Sequence, residues 1–132
     1  MNIIASLEEK LKAFPQVRYV AGSDFIEIEA PREGGFPVNV CRHEDRFVVA
    51  FSGWYDAFTT REEALECFDF AFSDRCRVRV ESRAGVPYSW TREYLVEGAW
   101  QADSTVRSTF VPAWGAVRER FLCNRELREE DE

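Results

Sequence analysis

The sequence predicts an α+β fold: a single domain over residues 1–125, in which an antiparallel sheet of about six to seven strands carries helices on one face. The expected order is α-β-β-β-β-α-β-β-β-α. Several short segments alternate apolar and polar residues and are separated by Gly-, Asp- or Pro-containing turns, a pattern that joins neighbouring strands antiparallel. Two other segments repeat apolar residues every three to four positions behind capping signals, as amphipathic helices do. No linker or internal repeat divides the chain, whose 132 residues suffice to bury roughly 65–70% of the unfolded surface.

The first helix is expected over SLEEKLKAF (6–14). Ser6 stands at the cap, Glu9 follows three residues later, Leu7, Leu11 and Phe14 share a face, and Pro15 ends it. VRYVAGSDFIEIEAP (17–31) reads as two strands turning at Gly22-Ser23-Asp24, with Ile26 and Ile28 on one side and Glu27 and Glu29 on the other. Past Gly34-Gly35, PVNVCRHEDRFVVAFSGW (37–54) reads as a hairpin about Glu44-Asp45, and its apolar arm FVVAF is expected to be central. TTREEALECFDFAFS (59–73) is the clearest helix. Thr60 and Glu63 have capping-box spacing, and Leu65, Phe68 and Phe72 line one stripe with Ala64 and Ala71, opposite Glu62, Glu66 and Asp69. Three strands are expected at 75–83, 88–96 and 100–110. A last helix is expected over AWGAVRERFLCNREL (113–127), where Trp114, Val117 and Phe121 align. Residues 126–132 hold five acids against Arg128, and a frayed, solvated tail is expected there.

Composition narrows the function classes. Net charge is −7, which opposes general nucleic-acid binding because phosphate neutralisation needs a basic footprint. No apolar run reaches the ~18 residues that a membrane span requires. The N-terminus turns acidic by Glu8 without a long apolar stretch, so no signal peptide and a cytoplasmic location are expected. Cys41, Cys67, Cys76 and Cys123 are spaced by 26, 9 and 47 residues, without the paired spacing of zinc or redox sites, and free thiols are expected. No nucleophile-elbow, zinc-protease, P-loop or dinucleotide string occurs, so neither a cofactor nor a metal is expected. His43, the single histidine, falls at a strand end beside Glu44 and Asp45, with no nucleophile or cavity indicated near it.

Charge is unevenly placed. Residues 75–92 hold Arg75, Arg77, Arg79, Arg83 and Arg92 against Glu81, a local balance of +4. The direction these arginines face depends on turn parity, because a one-residue slip inverts every side chain. A two-residue turn at Gly85-Val86 would set Arg83 beside Tyr88 and Arg77 beside Tyr94, an exposed arginine–aromatic surface. A three-residue turn at Gly85-Val86-Pro87 sets Arg79 opposite Glu93 and Val78 opposite Tyr94, and turns Trp90 inward. Burial favours the second. Two aromatics left in water forfeit about 2 kcal/mol each, while an exposed ion pair returns under ~1 kcal/mol. The arginine row is then a solvated face, and Arg92 is left on the apolar side between Trp90 and Tyr94. A second three-residue turn at Glu97-Gly98-Ala99 sets Ser104 and other small residues against it. An arginine so placed requires a carboxylate, such as Asp56, or a ligand anion.

Two readings of function follow. The first is a small non-enzymatic interaction or adaptor-type protein, its partner another protein or a second copy, on the strength of the uneven charge and missing catalytic strings. The alternative is a small-ligand or anion-binding protein with a pocket around Arg92, walled by Trp90, Tyr94, Trp54 and Tyr55, with Asp56 near. The segment Gly53–Phe58 is read as a loop over the core or as that pocket's rim. Residues singled out for binding are Trp54, Tyr55, Asp56, Arg77, Arg79, Arg83, Trp90, Arg92 and Tyr94; nucleic acid and membranes are not expected as partners. An enzyme using His43 or Asp56 is the least supported reading.

Overall fold

The computed structural model describes residues 2–124, so the acidic tail expected at 126–132 lies outside the described residues. It is α+β with antiparallel strands, but the strands form two sheets instead of one. Helix α1 (Ile3–Leu11) starts three residues before the expected position, because the Asn2 side chain accepts from the Ala5 N–H and serves as the cap. Ser6 is released from that role and accepts a hydrogen bond from Arg61. Strands β1 (Tyr19–Ala21), β2 (Phe25–Ile28), β3 (Val38–His43), β4 (Arg46–Phe51) and β5 (Trp54–Phe58) form a five-stranded meander in sequence order. After helix α2 (Arg61–Ala71), strands β6 (Cys76–Arg83), β7 (Val86–Val96), β8 (Ala99–Arg107) and β9 (Val117–Leu122) form a four-stranded sheet ordered β8-β7-β6-β9.

Alternation drives the first sheet together. Ile26, Val40 and Val49 make one cross-strand row on its inner face, and Ile28, Val38, Phe51 and Trp54 make the next. Helices α1 and α2 bury Ile3, Leu7, Leu11, Ala64, Cys67 and Phe68 in the same core, and Cys76, Val78, Val80 and Leu122 of the second sheet join it. The rings of Phe36, Phe51 and Trp54 stack in series at 5.3 and 4.8 Å between centroids. Thr60 caps α2 at the position read from the sequence, accepting from the Glu63 N–H, while the Glu63 carboxylate accepts from the Thr60 hydroxyl and not from the backbone N–H of a full capping box. Asn124, fully buried, accepts from Phe36 N–H at 2.7 Å and donates to its carbonyl at 2.8 Å, fastening the end of β9 to the segment before β3.

Three expectations are overturned. Residues 54–58 form an edge strand, not a loop, since Trp54–Phe58 pairs along the whole of Phe47–Phe51. The expected last helix is strand β9. Its true period is two: Val117, Glu119 and Phe121 share one face and Arg118, Arg120 and Leu122 the other. Pairing with β6 satisfies backbone groups that would otherwise form a bare edge. Gly115, at φ +94, lies so close to Ala84 that a Cβ there would meet its backbone at 3.0 Å, an approach that suits glycine and breaks a helix. Finally, both hairpin turns of the second sheet contain two residues, Ala84-Gly85 and Glu97-Gly98, with positive φ throughout, the geometry of type I′ turns.

Beta-bulges then restore the parity that three-residue turns would have given. Between Glu81 and Ser82 the partner strand carries an extra residue, Tyr88; opposite Arg92 and Glu93 the extra residue is Asp103. Past the bulges Trp90 pairs with Val80 and Val106, and Arg92 with Val78 and Ser104. Trp90 and Arg92 thus face inward, while Arg77, Arg79 and Arg83 face outward.

Candidate functional site

Arg92 sits where the second sheet meets α2 and β5. Its guanidinium forms an ion pair with Asp103, donates to the Cys67 sulfur at 3.4 Å, and stacks on Trp54 at 4.5 Å and on Phe70 at 5.4 Å. The carboxylate is therefore Asp103 and not Asp56. Asp56 is exposed on the edge strand, where it accepts from the Ala57 N–H. Trp54 is buried and donates its indole N–H to Ser104 at 2.9 Å, whereas Tyr55, next in the strand, points from the opposite face and is 57% exposed. Trp90 packs on Gly53, where any Cβ would fall 2.3 Å from the indole. Of the proposed pocket walls, Trp54 and Tyr94 approach Arg92; Tyr55 does not.

An open groove of about 470 Å³ does lie beside Arg92, lined by Phe58, Glu63, Glu66, Cys67, Phe70, Tyr94 and Asp103. Its chemistry is unsuited to an anion. Three carboxylates surround one guanidinium that is already paired. Burial pushes the Cys67 thiol up to about 12, only partly offset by the Arg92 charge, so it stays neutral and unreactive at physiological pH. Cys76 is raised for the same reason. His43 is exposed, paired across the hairpin with Arg46. Among the described residues no three His, Cys, Asp or Glu side chains gather as a metal site, and no helix is long and apolar enough to cross a membrane.

The outer face of the second sheet is the other candidate. Neither helix covers it. Arg77 is clamped: its Nε donates to Glu93 at 2.6 Å and its guanidinium lies 4.3 Å from the Trp100 ring and 4.0 Å from the Phe121 ring. Arg79 takes the second Glu93 oxygen at 3.5 Å. Glu93 is only 6% exposed, and Ser89 and Thr91 beside it are buried as well. The arginine row is therefore not the wet stripe expected. The row is part-buried, and at Arg77 an aromatic on each side holds the charge in place. Arg83 has no partner among the described residues, and the Nε atoms of Arg79 and Arg83 are buried without one.

At the hairpin end of this sheet the segment 108–116 crosses from β8 to β9, over the Ala84-Gly85 turn. It is anchored at both ends: Ser108 N–H donates to the Tyr88 carbonyl, and Gly115 packs on Ala84. Pro112 is buried. Between these anchors Phe110, 62% exposed, Val111, and Trp114, 70% exposed, point outward. Val117 and Val86 continue the apolar surface on either side of Arg83, one residue pair along the sheet. The sequence pattern hid this region by assigning Trp114, Val117 and Phe121 to a helix stripe, and Val117–Leu122, with three successive charged residues, offers no clean period of two to set against it. No family model matches the chain, and no curated protein or solved structure is significantly similar to it.

Proposed function

We propose that this chain is a non-enzymatic, adaptor-type interaction protein, and that it docks its partner with the hairpin end of the four-stranded sheet. One observation carries the reading: of twelve exposed large hydrophobic side chains among the described residues, five fall within the twelve residues 110–121. Aromatics left in water forfeit about 2 kcal/mol each, and a contiguous exposed apolar patch of this kind marks a contact surface. The loop that presents three of them, Phe110, Val111 and Trp114, is tethered by Pro112 and Gly115, so that part of the patch is held ready instead of being collapsed onto the core. A small-anion site at Arg92 is weaker, because Asp103 already takes the guanidinium and the groove is lined with further carboxylates.

The test is cross-linking and co-purification from the native cell, with the full chain as bait beside Trp114→Ser, Phe110→Ser and a Tyr55→Ser control. The expected result is one stoichiometric partner retained by the control and lost from both loop variants. A partner indifferent to Trp114 and Phe110, or no stoichiometric partner, would overturn the reading.

A further inference from the structure

We infer that the partner surface taken by this hairpin end is acidic, with carboxylates around an apolar centre; the inference rests on the docking reading above and adds the partner's chemistry. The arginines of this end surround the apolar patch on both sides of the sheet. Arg83 lies on the outer face between Val86 and Val117 and forms no ion pair among the described residues, although Glu81 and Glu119 share that face. Arg118 and Arg120 lie on the opposite face, paired with Ser82 and Val80, on the edge strand beyond the buried Val80. Both are exposed, and with Ser82, Gly85, Pro87 and one carboxylate, Glu119, they line an open groove of about 550 Å³. Arg107 stands at the β8 side, its guanidinium 5.9 Å from the Tyr88 ring.

Counting Arg83, Arg107, Arg118 and Arg120 against Glu81 and Glu119, with Arg79 left out because it pairs with Glu93, the end carries four positive charges to two negative, on a chain whose net charge is −7. The two carboxylates face each other directly across β6 and β9 and neither is paired with Arg83. An end that is positive on a negative molecule selects by orientation: an acidic surface is attracted to it and repelled by the remainder. Apolar residues at the centre and cations at the rim are also the usual anatomy of a protein-binding patch.

The probes are two peptides, one alternating glutamate with leucine and one alternating lysine with leucine, titrated into the isotopically labelled full chain and followed by amide NMR shifts. The glutamate peptide is expected to shift resonances within 79–87 and 107–121. Its affinity is expected to fall at least tenfold between about 20 and 500 mM NaCl, as the Debye length shortens from about 20 Å to a few ångströms, and at least tenfold in Arg118→Glu/Arg120→Glu. The lysine peptide is expected to leave those resonances in place. Equal binding of both peptides, shifts confined to other surfaces, or no shift at millimolar glutamate peptide would overturn the inference. Its failure is separable from failure of the docking reading: a native partner lost in Trp114→Ser but kept at full affinity in Arg118→Glu/Arg120→Glu would leave the docking surface standing and remove the acidic partner.

Discussion

The two sheets of this protein solve the same problem by different means. The five-stranded sheet is closed on its inner face by two helices, and its cross-strand rows there are almost wholly aliphatic and aromatic. The four-stranded sheet shares that core through Cys76, Val78, Val80 and Leu122, with Trp90 and Val106 packed against it; its other face is held by arginine stems, ring stacking and one buried glutamate. Charge divides along the same boundary. Residues 2–74 carry seven cations and fourteen carboxylates, net −7, while residues 75–124 carry eight arginines and five carboxylates, net +3. A sheet face closed by apolar burial has nothing left to offer a partner. One organised by arginines and aromatics keeps both charge and apolar area at its surface, which is why the candidate docking end belongs to the second sheet.

The sharpest way to break this contrast is to remove one central side chain from each sheet. Phe51→Ala deletes a fully buried ring stacked between Phe36 and Trp54, and is expected to cost about 3–5 kcal/mol in urea unfolding. Arg77→Ala removes two ring contacts and one of the two cations on Glu93, leaving Arg79 at 3.5 Å. Arg77 is half-buried and the remaining pair persists, so about 1–2 kcal/mol is expected. Equal losses would mean that the second sheet depends on its charged face as heavily as the first depends on its core.

Asp103→Ala tests the seam between the sheets. It leaves the Arg92 guanidinium, stacked on Trp54 and Phe70, without its carboxylate. An unpaired charge in a buried position costs about 3–5 kcal/mol, but Asp103 is more than a third exposed and water can replace it in part, so about 1–3 kcal/mol is expected. Arg92→Met combined with Asp103→Ser is expected to lie closer to the parent chain than Asp103→Ala alone, since no stranded cation remains. A double variant as unstable as the sum of its parts would show that the two residues act independently, and that Arg92 is held by its rings.

The same residue shows what the sequence could and could not reveal. Period-two alternation in β2 and β6, the apolar run of β4, and the Thr60 cap of α2 were readable because each is a local pattern enforced by local sterics. The inward turn of Trp90 and Arg92 followed from burial alone, although the turn lengths behind it were wrong by one residue in each hairpin. Asp103 could not be found this way. In regular alternation it faces away from Arg92, and only the bulge, which inserts it as an unpaired extra residue, re-aims its carboxylate inward. Strand β9 failed for a different reason: over eight residues, Trp114, Val117 and Phe121 satisfy a helical stripe as well as Val117 and Phe121 satisfy a strand. What decides is an unpaired edge on β6, a tertiary fact. The split into two sheets is tertiary too, since β5 and β6 are separated by α2 and never pair.

The smallest expected effect concerns the turns. Glu97 and Ala84 each occupy the first position of a two-residue turn at φ 50 and 53, a left-handed conformation that costs residues with a Cβ about 1 kcal/mol and that asparagine tolerates better. Glu97 and Gly98 stand in the open, so Glu97→Asn is expected to stabilise the chain by about 0.5 kcal/mol. At Ala84 the backbone and Cβ already touch Gly115, and the longer side chain of Ala84→Asn must push against the tethered loop, so the same exchange there is expected to gain nothing or to destabilise. Urea midpoints of the two variants decide it. A matching gain at both turns would mean that segment 108–116 yields to the added atoms. The aromatic patch at Phe110 and Trp114 would then be carried by a movable strap and not by a fixed rim, and the difference between a ready surface and an adaptable one would have to be redrawn at this end of the sheet.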